Sequence, residues 1–170
     1  MKPFAIDAFD FGLARERCDG ALPVTAMPRL VRECVDASGT MLWSLTGGTH
    51  ASGHPQLALT VSGAVQLVCQ RCMQPFEYRI DASSVLVLAR DDVQADQIEE
   101  MLDDDSLDVI VGSAALNVMD LIEDEALLAL PQAPKHVECP SNIPFAISSA
   151  GDALGAAKSS PFAVLKNLKH

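Results

Sequence analysis

The sequence predicts an α+β fold, in which an antiparallel β-sheet built on a long hairpin packs against a few helices. The main observation is a period of two, since apolar residues from Leu57 to Cys69 alternate with small or polar ones. The alternation returns from Phe76 to Ile80, and it is typical of β-strands. The second observation is a helical period from Asn117 to Leu130. With 170 residues, 49% of them hydrophobic, the chain can bury one substantial core.

The segment before the hairpin predicts two short helices and a further strand. Apolar residues recur at helical spacing between residues 9 and 36, and Gly20 and Pro23 divide that stretch in two. Residues 41–45, centred on Trp43, have the composition of a strand. The glycines and proline that follow, within residues 47–55, predict a loop.

The strongest helix is predicted from Asn117 to Leu130. The Asn117 side chain can cap its N-terminus, and Asp120 in the first turn interacts favourably with the helix dipole. Pro131 ends it. Most apolar residues of this helix fall on one arc, and the opposite face carries three acids: Asp120, Glu123 and Asp124.

Two residues break the helical pattern. Glu125 falls inside the apolar arc, and a carboxylate on a buried face is costly unless it is paired. We therefore expect Glu125 to be a structural buried carboxylate that meets Arg71 or Arg79; the alternative is a peripheral side chain that reaches solvent. Leu127 falls among the acids, where it could contact a partner, although exposed leucines are ordinary. The predicted partner-binding residues of this helix are Asp120, Glu123, Asp124 and Leu127.

Two pairs of soft ligands predict a metal site. Cys69-Gln70-Arg71-Cys72 and His136-Val137-Glu138-Cys139 each place two residues between their donors. Tetrahedral zinc uses four thiolate or imidazole donors of this kind, so the candidate ligands are Cys69, Cys72, His136 and Cys139. The pairs are 63 residues apart, which makes closing the loop costly in entropy. The alternative is that these cysteines are buried as small hydrophobic residues.

The charge is concentrated in one stretch, residues 91–134, which we name the acidic band. It holds 13 of the 23 acidic residues and no Lys or Arg, in a chain of net charge −11. Its first part, residues 91–108, predicts a solvated loop, because blocks of like charge resist compaction. The alternative is a surface for a basic partner. Either way the band repels phosphate, so broad nucleic-acid binding is not expected.

The chain after residue 146 differs in composition from the rest. Residues 147–160 are mainly Ala, Gly and Ser, which is typical of a flexible tether. Residues 161–170 predict a short amphipathic motif that binds a partner or docks on its own domain. Its apolar residues recur at every third position: Phe162, Leu165 and Leu168. We predict one domain over residues 1–146, followed by this flexible tail.

Several functional classes are not expected. The chain has neither 18 consecutive apolar residues nor a secretory signal, and its five cysteines are an odd number, which together predict a cytoplasmic protein without a membrane span. No glycine-rich phosphate loop is present. Redox Cys-x-x-Cys pairs usually open a helix, whereas this pair turns a hairpin. We therefore expect neither an enzyme nor a small-molecule substrate.

Three motifs resemble the YceD family of bacterial and plastid proteins. They are Cys69-Gln70-Arg71-Cys72 with Pro75-Phe76, the run from Asp120 to Pro131, and the run from Pro161 to Leu165. His136 and Cys139 also fit, whereas Ser160 stands where an Asn is expected. The resemblance implies a role in accumulation of large-subunit ribosomal RNA (23S rRNA), with no known catalytic activity.

The resemblance and the charge together predict a ribosome-biogenesis factor that acts by binding. Its partner would be a basic ribosomal protein or rRNA-processing factor, so its contact with rRNA would be indirect. The alternative is a small zinc protein that contacts RNA directly through the Cys-x-x-Cys hairpin, where Arg71 and Arg79 could position a phosphate.

Overall fold

The structure is a computed structural model that describes residues 4–102 and 107–140. It confirms the α+β class. The strands are β1 (Ala5–Ile6), β2 (Arg17–Pro23), β3 (Thr40–Thr49), β4 (Pro55–Val68), β5 (Pro75–Ala89), β6 (Asp108–Val111) and β7 (Leu116–Asn117). The helices are α1 (Ala8–Leu13), α2 (Pro28–Glu33), α3 (Asp92–Leu102) and α4 (Val118–Leu128). No helix among these residues is long and apolar enough to cross a membrane.

The main sheet has five strands in the order β2-β3-β4-β5-β6. Neighbours pair antiparallel from β2 to β5, and β4 pairs with β5 from Gln56↔Val87 to Val68↔Pro75. Strand β6 runs parallel to β5, so the prediction of an antiparallel sheet is wrong at this edge. The reason is α3, which carries the chain back along the sheet before β6 begins, as parallel pairing requires. β1 and β7 form a separate two-stranded sheet.

Strand β2 lies where the sequence indicated only a break between helices. Gly20 pairs with Trp43, and a Cβ at Gly20 would lie 3.1 Å from the indole ring. Pro23 is tolerated because β2 is an edge strand, whose outer N–H groups need no partner in the sheet. The glycine and the proline therefore mark a constrained edge strand and not a loop.

The predicted loop at residues 47–55 is shorter than expected. Gly47 and Gly48 belong to β3, and the loop occupies residues 50–54. Gly47 is required because α1 crosses β3 there, with the carbonyl oxygen of Phe11 in the place that a Cβ would fill. Gly47 therefore reflects a close approach of two backbones and not a turn.

The core lies on the face of the sheet that α1, α2 and α4 cover. Side chains alternate along β5, so Leu86 and Leu88 belong to this core while Val87 and Ala89 contact Ile98 of α3. Helix α3 therefore packs on the opposite face.

The expectation of a solvated loop at residues 91–108 is wrong for most of that segment, which forms α3. Its N-terminus is closed by a reciprocal pair, in which Gln94 N–H donates to the Asp91 carboxylate and Arg90 N–H donates to the Gln94 side chain. Its buried residue, Ile98, anchors it to the sheet. Residues 103–106 lie outside the described residues, as do the predicted tether at 147–160 and motif at 161–170.

Candidate metal centre

The Cys-x-x-Cys pair lies in the turn between β4 and β5. Cys69 N–H donates to the Gln74 carbonyl at 2.9 Å, and Met73 N–H donates to the Cys69 carbonyl at 2.8 Å. Met73 adopts a left-handed φ of 59°, which tightens the turn. The side chains of both cysteines, Cys69 and Cys72, are buried at this turn.

The second pair arrives on an extended arm, residues 131–140, that follows α4. The Gln70 N–H donates to the Pro134 carbonyl at 2.9 Å, which fixes the arm against the turn. The His136 ring packs on Phe76 with ring centroids 4.9 Å apart, and its backbone N–H donates to Cys69 Sγ at 3.4 Å. The sheet and α4 thus close the long gap between the two pairs.

The structure brings all four predicted ligands together. One donor atom from each of Cys69, Cys72, His136 and Cys139 lies within 4.8 Å of the others. Cys69 Sγ lies 3.8 Å from Cys139 Sγ, and Cys72 Sγ lies 3.3 Å from His136 Nδ1. Tetrahedral zinc with Zn–S bonds of about 2.3 Å needs sulfur atoms about 3.8 Å apart, so this donor set is compatible with zinc. The sulfur separation is far too long for a disulfide.

The electrostatics of the centre favour a thiolate at Cys69. Burial raises the pKa of its thiol, but N–H hydrogen bonds from His136, Cys72 and Arg71 outweigh burial and lower the pKa to about 5. At Cys72 burial dominates and raises the pKa. Zinc binds thiolates, so the N–H groups around Cys69 favour the form of this side chain that zinc binding would require.

Arg71 is a fifth participant in the centre. Its Nε–H donates to Cys139 Sγ at 3.0 Å, and this contact is the main reason that the pKa of Arg71 is raised. Neither Arg71 nor Arg79 meets Glu125, contrary to expectation: Arg79 is exposed and lies beside Glu77. The position of Arg71 between two candidate ligands indicates that it lies near the site. Its partner, Cys139, lies on the distant arm, so the sequence does not predict that contact.

The carboxylate that the structure buries is Glu123, with 4% of its surface exposed, and not Glu125, which is half-buried. Glu123 accepts hydrogen bonds from the backbone N–H groups of Arg29 and Leu30 and from Arg29 Nε, the last at 2.9 Å. These are the first free N–H groups of α2, whose N-cap residue, Met27, offers no side-chain oxygen. Glu123 therefore caps α2 from another helix.

The exposed leucine of α4 is Leu128 and not Leu127, which the sequence predicted. Leu127 packs against the core, whereas Leu128 is 79% exposed. Among the predicted partner-binding acids, Asp120 and Asp124 are exposed, and Asp124 accepts a hydrogen bond from Arg29 Nη1. The predicted partner contacts Phe162, Leu165 and Leu168 lie outside the described residues.

The fold and the centre thus define a small α+β protein with a closed set of four soft donors at a turn and an acidic side. The family model described as large ribosomal RNA subunit accumulation protein YceD matches residues 57–169. A Haemophilus influenzae protein named large ribosomal RNA subunit accumulation protein YceD is 30% identical over 125 residues, which cover 68% of each chain. No solved structure matches the chain significantly. The chain belongs to the YceD family, which confirms the resemblance found in its motifs.

Proposed function

We propose that this protein is a non-catalytic ribosome-biogenesis factor. It supports the synthesis, processing or stability of large-subunit (23S) rRNA by binding a basic protein or processing partner. Family membership supports the link to large-subunit rRNA, because the Haemophilus influenzae relative carries that role in its name. The observation that carries the binding mode is the acidic band, residues 91–134, which contains no Lys or Arg.

The acidic band presents its charge on two helices. In α3 the acids are exposed, with Asp96, Glu99 and Glu100 among them, while Ile98 is the side chain that faces the sheet. In α4, Asp120 and Asp124 are exposed as well. Ribosomal proteins are basic as a class, so such a surface would steer their association and select them over acidic competitors. The same surface repels RNA phosphates, which makes contact with rRNA indirect.

The test is affinity isolation of the full chain from native lysate, divided into RNase-treated and untreated halves. The proposal expects basic ribosomal proteins or processing enzymes to remain bound after RNase treatment. Recovery of precursor large-subunit RNA only in the untreated half, with every protein lost on RNase treatment, would contradict it.

A matched pair of triple variants tests the charge of α3. Asp96→Asn, Glu99→Gln and Glu100→Gln together neutralise three exposed acids of the band. The control, Asp19→Asn, Glu77→Gln and Asp81→Asn, neutralises three exposed acids on β2 and β5. The first variant should lose most of the RNase-resistant partner, and the second should keep it. Equal recovery by both would remove the acidic band from the account.

We also infer that the four-donor centre holds zinc in a structural role. The set is closed, with four protein donors and no position left for a substrate, as in structural zinc sites. Bound zinc would supply a rigid link between the turn and the arm. Elemental analysis of protein purified without chelator should find close to one zinc per chain, and a ratio near zero would refute the site.

The second candidate function is direct contact with RNA through the zinc-binding hairpin. It is favoured by one observation, the two arginines that the hairpin carries, Arg71 and Arg79. Arg71, however, already donates to Cys139 Sγ. Purified protein and purified precursor rRNA discriminate the two functions, because direct binding should weaken steeply with added salt in the absence of any other protein.

A further inference from the structure

A groove separates α4 from the β6 edge of the main sheet. It has a volume of about 260 Å³ and lies on the face of the sheet that α4 covers only in part. Its apolar lining comes from four elements: Leu59, Leu86, Val109, Ile110, Leu121 and Leu128. Leu128 is the exposed member, at 79%, and it stands at the last turn of α4.

The rim of this groove is acidic. Asp108 from β6 and Asp124 and Glu125 from α4 line it. Both walls belong to the acidic band, residues 91–134, so the chain places no Lys or Arg on either of them. Arg29 bonds Asp124 from the α2 side, which leaves the carboxylates of Asp108 and Glu125 without a cation among the described ion pairs.

The Glu125 side chain places a carboxylate at the edge of the groove. It is half-buried and lines the groove beside Leu121 and Leu128. An acid at the edge of an apolar surface suits a ligand with an apolar side chain next to a cationic one. Leu128 also suits such a ligand, since an exposed leucine beside a hydrophobic groove adds apolar surface that a partner can bury.

We propose that the groove between α4 and β6 is the docking surface for a basic amphipathic segment of a protein partner. An apolar side chain of that segment packs against Leu128 and against the sheet residues of the groove, Leu59 and Leu86. The Lys or Arg residues of the segment meet Asp108 and Glu125. Charge complementarity argues against two other occupants, because a nucleic acid would bring phosphates to the acidic rim and a second copy would bring a chain of net charge −11. The proposal rests on the proposed function and names the contact surface within the acidic band.

The probe is a fluorescent synthetic peptide with leucines at helical spacing and lysines at the remaining positions, measured by fluorescence anisotropy with the full chain. A peptide of equal charge with serines in place of the leucines is the control ligand. Leu128→Ser should weaken binding of the leucine peptide about tenfold, as expected when a leucine side chain buried on binding is lost. Met101→Ser removes a comparably exposed apolar residue from acidic α3 and should change binding by less than about twofold.

A second comparison tests the rim. Asp108→Asn with Glu125→Gln should weaken binding by about tenfold and flatten its salt dependence, because the rim supplies the electrostatic attraction. Glu77→Gln with Asp81→Asn makes the same change of charge on exposed positions of β5, outside the groove and outside the acidic band, and should have the smaller effect. Equal effects of Leu128→Ser and Met101→Ser, or of the two charge variants, would overturn the proposal. A dimer of the free chain that Leu128→Ser dissociates would overturn it too, because the groove would then belong to a second copy.

The groove and the proposed function can fail separately. If the peptide distinguishes Leu128→Ser from Met101→Ser but the lysate yields no RNase-resistant basic partner, the docking surface is supported and the proposed function is refuted. If the basic partner is recovered equally by wild type and Leu128→Ser, the function stands and the groove is not its docking surface.

Discussion

At the scale of single residues, the contact between Glu123 and α2 determines how α4 is turned against the sheet. The buried side chains of α4 are Val118, Ile122, Glu123 and Ala126. The buried arc therefore includes an acid and leaves Leu128 outside. The acid is accommodated because two backbone N–H groups and one guanidinium satisfy it, which offsets the cost of burying a carboxylate.

The stability of Glu123→Ala tests this arrangement. Truncation leaves the N–H groups of Arg29 and Leu30 without their acceptor and should reduce the free energy of unfolding by about 2 kcal/mol. Glu125→Ala, on the same helix, should change it by less than about 0.5 kcal/mol. Urea unfolding of both variants measures the difference, and an equal loss in the two would mean that Glu123 is not the structural carboxylate.

The sequence allowed a buried carboxylate to be predicted on α4 but not the right one. The distribution of apolar residues around α4 predicts that the middle of the apolar arc faces the core. The observed orientation depends instead on the contact with α2, 93 or 94 residues away along the chain. The four clustered Cys and His donors could be predicted residue by residue, because the two-residue spacing within each pair is a local signal. The Arg71 contact could not, since it requires the two pairs to meet.

Arg71 should raise the affinity of the centre for zinc. Its Nε–H donates to Cys139 Sγ, and its charge would offset the negative charge of the three thiolates that bind zinc in a three-Cys, one-His site. Arg71→Ala should weaken zinc binding about tenfold, as loss of a hydrogen bond to a metal ligand commonly does. Arg79→Ala removes an exposed arginine from the same hairpin and serves as control. Competition with a chromophoric chelator measures both, and equal affinities would show that the Arg71 contact has no effect on the metal.

At the scale of elements, the crossing of α1 over β3 depends on Gly47. A Cβ there would overlap the carbonyl oxygen of Phe11, so Gly47→Ala should reduce the free energy of unfolding by about 3 kcal/mol. The neighbouring Gly48→Ala meets only ordinary contacts with Gln56 and should change it by less than about 0.5 kcal/mol. Thermal or urea unfolding decides, and a neutral Gly47→Ala would contradict the close crossing.

The arm at residues 131–140 has no helix or strand of its own, so its position depends on its links to the turn. Among the described contacts these include the Gln70 to Pro134 hydrogen bond and the contacts that His136 and Cys139 make with Cys69 and Arg71. If zinc completes the link, its removal should release the arm. Trypsin should then cleave after the exposed Lys135 about tenfold faster in chelator-treated protein, because local opening governs proteolysis.

Cleavage after Arg79, in the middle of β5, is the internal control for that experiment. It should be slow with and without zinc. An unchanged rate at Lys135 would show that the metal does not hold the arm, and acceleration at both sites would show that the whole domain loosens.

Periodicity predicted the elements whose burial is regular and missed those defined by contacts. The alternation along β4 and β5 and the capped start of α4 are local signals. Strand β2 was missed because Gly20 is explained only by the Trp43 ring across the sheet. Charge pattern alone does not predict helix α3, because the local signal for this helix is its capping pair, Asp91 and Gln94.

At the scale of the whole molecule, the acidic band and the cluster of Cys and His donors lie in different parts of the fold. The acidic band supplies α3, β6 and α4 along one edge of the main sheet, while the four soft donors gather at the turn between β4 and β5. We propose that the turn stabilises the structure and that the acidic edge binds the partner. The sequence located both features, and the fold adds the groove that combines the acids with an exposed leucine.

We propose that the protein supports accumulation of large-subunit rRNA, and the ratio of 23S to 16S rRNA in cells that lack the gene tests this role. We expect a lowered ratio that the wild-type gene restores, with Leu128→Ser restoring it less well than Met101→Ser. A ratio that stays unchanged when the gene is removed would refute the proposed role.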